Sequence, residues 1–164
     1  MRHTDLLYSL ARRMAPYPAD VADIVQETYL RAYAAWSACG PDDTAAWLAT
    51  ICLNVGRDLR RRHARQLAVV QDLPLPDLPA PADTEQQAID LLATARVQAA
   101  LMRLPDVQRI AITLMDLCGF TARQVAQITG APRGTVLARV HRGRKSLAQA
   151  MAESNPLPTD REAR

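Results

Sequence analysis

Apolar residues recur along this chain at three- and four-residue spacing, and the rhythm breaks where proline or glycine stands. Such spacing favours amphipathic helices. A first helix is expected from about Thr4 to Met14, stopped by Pro16 and Pro18. A second begins near Asp20, places Val21, Ile24, Val25, Thr28 and Ala32 on one face, and ends near Trp36. Gly40-Pro41 then marks a turn within a loop from Ser37 to Thr44. A third helix runs from about Ala45 to Arg62, with Trp47, Leu48, Ile51, Val55 and Leu59 as its buried stripe. Trp36 and Trp47 are read as core anchors.

Pro74, Pro76, Pro79 and Pro81 alternate with Leu, Ala and Asp, a composition that disfavours both helix and central strand and predicts an extended, flexible linker. Helical spacing resumes near Thr84 and lasts to about Arg103. Leu104-Pro105 breaks and restarts the chain, and Pro105 suits a first helical turn. Ile110, Leu114 and Leu117 continue an apolar face. Thr121-x-x-Gln124 matches a capping box for the next helix, Gly130 supplies a turn, and Pro132 can open the last helix. On that helix Val136, Val140, Gly143 and Leu147 share one side, while Thr135, Arg139 and Arg142 share another. Helix, tight turn and basic helix form the local grammar of a helix-turn-helix that sets a helix end into a DNA groove. After Pro156 the tail is polar.

Composition sharpens this picture. Hydrophobic residues make up 49% of the 164 positions, so a packed core is feasible, and the aromatic share of 4% favours helices over sheets. The net charge of +3 is modest, but its order along the chain is informative. Arg57 to Arg65 holds five arginines and one acid, Asp58. Gln66 to Ala95 holds no Lys or Arg, while Asp72, Asp77, Asp83, Glu85 and Asp90 are acidic. Arg133 to Ala152 is basic without an acid. Two basic modules across an acidic spacer imply two contacts on one nucleic acid.

Cys39, Cys52 and Cys118 show no paired spacing and His3, His63 and His141 are scattered, so neither a metal site nor a disulfide framework is expected. Unpaired thiols fit a reducing cytoplasm. No run is long enough to span a bilayer, and Arg12 and Arg13 interrupt any leader-like core. No nucleophile–base pair, glycine-rich phosphate loop or metal spacing appears, so the reading is a non-enzyme with no cofactor.

Two blocks resemble the extracytoplasmic-function (ECF) group of bacterial sigma factors in the sigma-70 family. The first is Asp23-Ile-Val-Gln-Glu-Thr-Tyr-Leu-Arg-Ala32 with Ala46-Trp-Leu-Ala-Thr-Ile-Cys-Leu-Asn-Val-Gly-Arg-Asp-Leu-Arg-Arg61. The second is Leu104-Pro-Asp-Val-Gln-Arg109 with Gly119-Phe-Thr, Val125-Ala, Gly130, Gly134-Thr-Val136 and Arg139-Val-His-Arg142. The resemblance implies an all-α chain of two small helical domains. A sigma-2-like domain over 1–65 and a sigma-4-like helix-turn-helix domain over 89–152 are joined by the linker 66–88, with a flexible tail over 153–164. It implies core RNA polymerase (clamp helices and flap) and promoter DNA as partners, and in many relatives an anti-sigma factor, with no membrane insertion.

Asp23, Gln26, Glu27 and Arg31 would dock the polymerase. Asn54, Arg57, Arg60, Arg61 and Arg62, with the loop before them, would read the −10 element as melted strand. Arg133, Thr135, Arg139, Arg142, Arg144 and Lys145 would read the −35 element. From the residues alone, the acidic set equally fits a solvated helix face, and a helix end favoured by the dipole is the lesser alternative for the first arginine cluster. A stand-alone helix-turn-helix regulator is the alternative function, although no heptad seam for a dimer is visible. Three departures from the family stand out. The first helix starts almost at Met1, the loop before Ala45 lacks an aromatic, and Leu137 and Ala138 replace a common Lys and Ser.

Overall fold

The structure is a computed structural model that describes residues 3–39, 41–67 and 95–153. All regular structure among these residues is helical. Helix α1 spans Thr4–Met14, with Asp5 in its first turn and Arg12 and Arg13 in its last, each opposite in sign to the helix end it occupies. It stops as Ala15 turns extended ahead of Pro16, and it buries Leu7, Leu10, Ala11 and Met14. Helix α2 spans Asp20–Cys39. The Asp20 carboxylate accepts the Tyr17 backbone N–H at 3.1 Å, which fixes the corner between α1 and α2.

Helix α3 spans Thr44–Leu67. Asp43 caps it, with Oδ1 accepting the Ala46 N–H at 3.0 Å. Both α2 and α3 outrun their expected ends near Trp36 and Arg62. Neither helix meets a breaker there, and α3 carries on through the residues expected to start the linker. His63, in that extension, rests against Tyr17 with ring centroids 5.2 Å apart. Gly56 lets α3 cross α1 closely, since a Cβ there would lie 3.1 Å from Met14 Cε. Ile24, Thr28, Cys52 and Leu53 fill the space between these helices. Burying each side chain of leucine size contributes about 1.5–3 kcal/mol.

The second half begins with α4, helical over 95–102. Helix α5 spans Asp106–Ile112 and runs into a π-helical turn, Thr113–Leu117. Helices α6, Ala122–Thr129, and α7, Arg133–Glu153, complete the chain as described. The π turn explains one difference from the sequence pattern. Its longer loop closes with Cys118 N–H on Thr113 O and Phe120 N–H on Leu114 O, both at 2.9 Å. The extra residue rotates the register, so Leu114 is buried while Leu117 is 45% exposed instead of continuing the apolar face. The proline-rich linker, the expected helix start near Thr84 and the tail lie outside the described residues.

The two halves touch. Leu114, Phe120, Val125, Ile128 and Val136 belong to the same buried cluster as Leu7, Met14, Ala49 and Leu53. Helix α6 packs on α3, and α1 packs on α5 and the π turn. Polar contacts join them as well. Gln98 Nε2 donates to Arg12 O at 2.8 Å, and Gln124 Nε2 donates to Asp43 Oδ2 at 2.8 Å. A smaller apolar cluster, Leu101, Leu104 and Ile112 with Val97 and Leu147, sits between α4, α5 and α7.

Candidate nucleic-acid interface

Helices α2 and α3 leave an open groove between them, lined by Asp23, Gln26, Glu27, Leu30, Arg31, Asp58 and Arg62. Asp23 and Gln26 are exposed there, and Glu27 and Arg31 are half-buried. Arg31 is internally engaged. Its Nε donates to Glu27 Oε1 at 2.7 Å and its Nη1 reaches Asp58 Oδ2 at 3.4 Å, which ties α2 to α3. The Glu27 hydrogen bond is the main reason its pKa rises above the usual arginine value. Of the four residues in the acidic set, Asp23, Gln26 and Glu27 place acceptor groups along the groove, and Arg31 ties its two walls together.

The first arginine cluster is dispersed around α3. Asn54, Arg57 and Arg61 share a side at i, i+3 and i+7. Arg62 lines the acidic groove. Arg60 turns toward the second half and pairs with Asp106 at 2.5 Å. The same Asp106 carboxylate contacts Arg109, whose side chain is 5% exposed and whose Nη1 donates to Met102 O at 3.2 Å. Burial lowers the Arg109 pKa and the Asp106 charge opposes that fall. The sequence reading missed Asp106. The available sign was its i, i+3 spacing from Arg109, which reads as an ordinary surface pair until the guanidinium is seen to be buried.

The aromatic residues also differ from expectation. Trp36 is half-exposed, edge-on to Trp47 with centroids 5.8 Å apart, and Tyr33 is 86% exposed. Ala32 is the last buried position among the described side chains of α2, and Trp36 lies beyond it. The aromatic pair stands beside the α2–α3 loop.

Helices α6 and α7 form the helix-turn-helix. Thr121 caps α6 in a full capping box, with its N–H on Gln124 Oε1 at 2.9 Å and the Gln124 N–H on Thr121 Oγ1 at 3.3 Å. Gly130 ends α6 in the left-handed region at φ 68°, which a side chain would resist. Val136, Val140 and Gly143 face the core. A Cβ on Gly143 would lie 2.6 Å from Ile112 Cδ1, so this glycine sets the close approach of α7 to α5.

Arg133, Arg142 and Lys145 are exposed, and Thr135 and Arg139 are half-exposed on the flank. Arg144 is engaged internally, with Nη2 and Nε on the Asp116 carboxylate at 2.6 and 2.9 Å. Its role here is to brace α7 against the π turn.

Burial pushes the Cys52 thiol up to about 12 and the Cys118 thiol up to about 11, so neither is a thiolate at neutral pH. Among the described residues no His, Cys, Asp or Glu group is arranged to hold a metal ion, and no helix is long and apolar enough to cross a membrane.

An acid-lipped groove in one half and a basic helix-turn-helix in the other coincide with two family models. Residues 1–66 match Sigma-70 region 2, and residues 94–147 match Sigma-70, region 4. The ECF RNA polymerase sigma factor SigE of Mycolicibacterium smegmatis is 34% identical over 157 residues, covering 93% of this chain and 60% of that protein. The chain thus spans less than two thirds of SigE. The ECF RNA polymerase sigma factor SigM of Mycobacterium tuberculosis is 34% identical over 156 residues, covering 94% of this chain and 76% of SigM. Among solved structures, the sigma factor RpoE of Bartonella quintana, in complex with the anti-sigma factor NepR, aligns with a TM-score of 0.76 at 25% identity, covering 93% of each chain. The chain belongs to the ECF sigma factors of the sigma-70 family.

Proposed function

We propose that this chain is a promoter-specificity subunit of bacterial RNA polymerase, acting in the cytoplasm as a non-enzymatic initiation factor. Asp23, Gln26 and Glu27 dock core polymerase at the groove that Arg31 braces. Asn54, Arg57 and Arg61 track the melted −10 strand, Arg62 joins them from the rim of the groove, and Arg60 joins once Asp106 lets it go. Arg133, Thr135, Arg139, Arg142 and Lys145 carry α7 onto the −35 duplex, with Arg144 holding its angle. Arginine suits both tasks, as a bidentate donor to guanine edges and as a phosphate clamp. The half-exposed Trp36 and the exposed Tyr33 offer faces on which an unstacked base can rest. An anti-sigma factor is a further partner on this reading, supported by the similar RpoE, whose solved structure holds one.

The observation that carries the reading is the coincidence of the two family regions, in order, with the acid-lipped groove and the basic helix-turn-helix. Run-off transcription with core polymerase on a genomic promoter library tests it. RNA starting at defined sites only when the chain is added is the expected result, and no defined start refutes the reading. The double variant Asp23→Arg, Glu27→Arg should keep its helical spectrum and lose polymerase binding. Unchanged transcription from it removes the docking assignment. A stand-alone regulator would instead bind one sequence tightly in a gel shift without polymerase.

A further inference from the structure

Five glycines fall among the described residues, and four have an internal reason. Gly119 and Gly130 sit at φ 74° and 68°, in the left-handed region that side chains disfavour. Gly56 and Gly143 sit against Met14 and Ile112 at distances a Cβ could not keep without movement. Gly134 has neither reason. It lies in the first turn of α7 with ordinary helical backbone, and a Cβ built on it meets nothing within 4 Å. A glycine at such a place weakens the helix relative to alanine. Nothing among the described residues requires it, and the open space over it leaves room for a close neighbour from outside.

Its surroundings give such a neighbour a particular chemistry to meet. Ala138, one turn on, is exposed and also small, and Leu137 beside it is 43% exposed with its side chain at the surface. Arg133 and His141 flank Leu137 at i−4 and i+4, and Arg133, His141 and Arg142 are exposed on the same helix. A lone surface leucine is ordinary. This one stands within the first two turns of the second helix of a helix-turn-helix, the segment that meets base edges in the major groove. The apolar group on offer there is the 5-methyl of thymine.

We propose that Leu137 and Ala138 determine promoter specificity by contacting a thymine 5-methyl group in the −35 duplex, and that Gly134 lets the backbone of α7 come close enough for them to do so. The exposed arginines hold the phosphates on either side. The inference rests on the proposed function and assigns to that site a preference for thymine over cytosine or uracil at one position.

The test uses the full chain bound to core polymerase. A library randomised over the −35 element first yields the preferred sequence, and each thymine in it is then replaced by deoxyuridine, which removes the methyl alone. At one position the loss should weaken promoter binding about four-fold, and 5-methylcytosine should outperform cytosine there. Leu137→Ala should abolish that sensitivity while leaving binding to other positions unchanged. Gly134→Ala should raise the thermal midpoint by about 2–4 °C and yet lower promoter use, opposite signs that a purely structural role would not produce. Deoxyuridine tolerated at every position, or Leu137→Ala weakening all sequences equally, overturns the inference and leaves the proposed function standing. A library with no enriched −35 sequence removes both.

Discussion

Replacing Asp106 with asparagine removes a charge that two arginines share, and the structure sets the size of the effect. Arg109 is nearly enclosed, with a side chain 5% exposed, whereas the Asp106 side chain is 55% exposed. Removing the counter-ion of a buried guanidinium costs about 1–3 kcal/mol, and water around Asp106 screens the change toward the lower half of that range. The Arg60 pair, with side chains 21% and 55% exposed, is nearer a surface bridge and adds about 0.2–1 kcal/mol. The expected loss is about 1–3 kcal/mol, read by urea unfolding followed through helical circular dichroism.

Binding moves the other way. Arg60, freed from Asp106, can neutralise one more phosphate of a single strand. The log–log salt slope for a fluorescent single-stranded oligonucleotide should steepen by about 0.7. An Asp106→Asn protein as stable as the parent, with the same salt slope, refutes the shared-carboxylate account.

Gly143→Ala should destabilise the chain by about 1 kcal/mol, because an overpacking cost of about 1–3 exceeds a helix-propensity gain of about 1. In an Ile112→Val background the clashing Cδ1 is gone and most of that loss should vanish in thermal unfolding, so additive effects would contradict the contact. Asp43→Ala should cost about 1 kcal/mol at neutral pH through the lost cap. The Ala46 N–H, and then Gln124, hold the Asp43 carboxyl below its usual range. A depressed carboxyl stabilises the fold fully above its unfolded value of about 4 and loses that contribution as pH falls through the folded value. A difference between parent and variant that does not shrink as pH is lowered through the acid range below about 4 would contradict this. Arg139→Ala should reduce promoter discrimination by about 1–3 kcal/mol in competitive binding of the polymerase complex. Uniform weakening across sequences would assign Arg139 to phosphate instead.

Local features were readable in the chain because their causes lie within a few residues. Pro16 and Pro18 end α1, the Thr121–Gln124 pair caps α6, Gly130 turns the chain, and the spacing of Val136, Val140 and Gly143 orients α7. The family blocks were readable for the same reason, as strings of residue types at fixed offsets. The extents of α2 and α3 were less so, since a helix without a breaker stops where its tertiary contacts stop. The π turn was hidden, because one extra residue in a turn changes register without changing composition.

The candidate site separates the same way. The sequence by itself determined that the two halves described are helical, with one acid-lipped helix and two basic ones, and that the last pair of helices forms a helix-turn-helix. Charge and periodicity are local properties, and the polypeptide carries them wherever it folds. Only the tertiary structure decided which charges are available. It set Arg60 against Asp106, Arg144 against Asp116 and Arg31 against Glu27 and Asp58, and it left Trp36 half in water. Three of those arginines find acids more than twenty residues away. An ion pair follows distance in space, which falls off with no regular period along the chain, so no spacing in the sequence could have announced it.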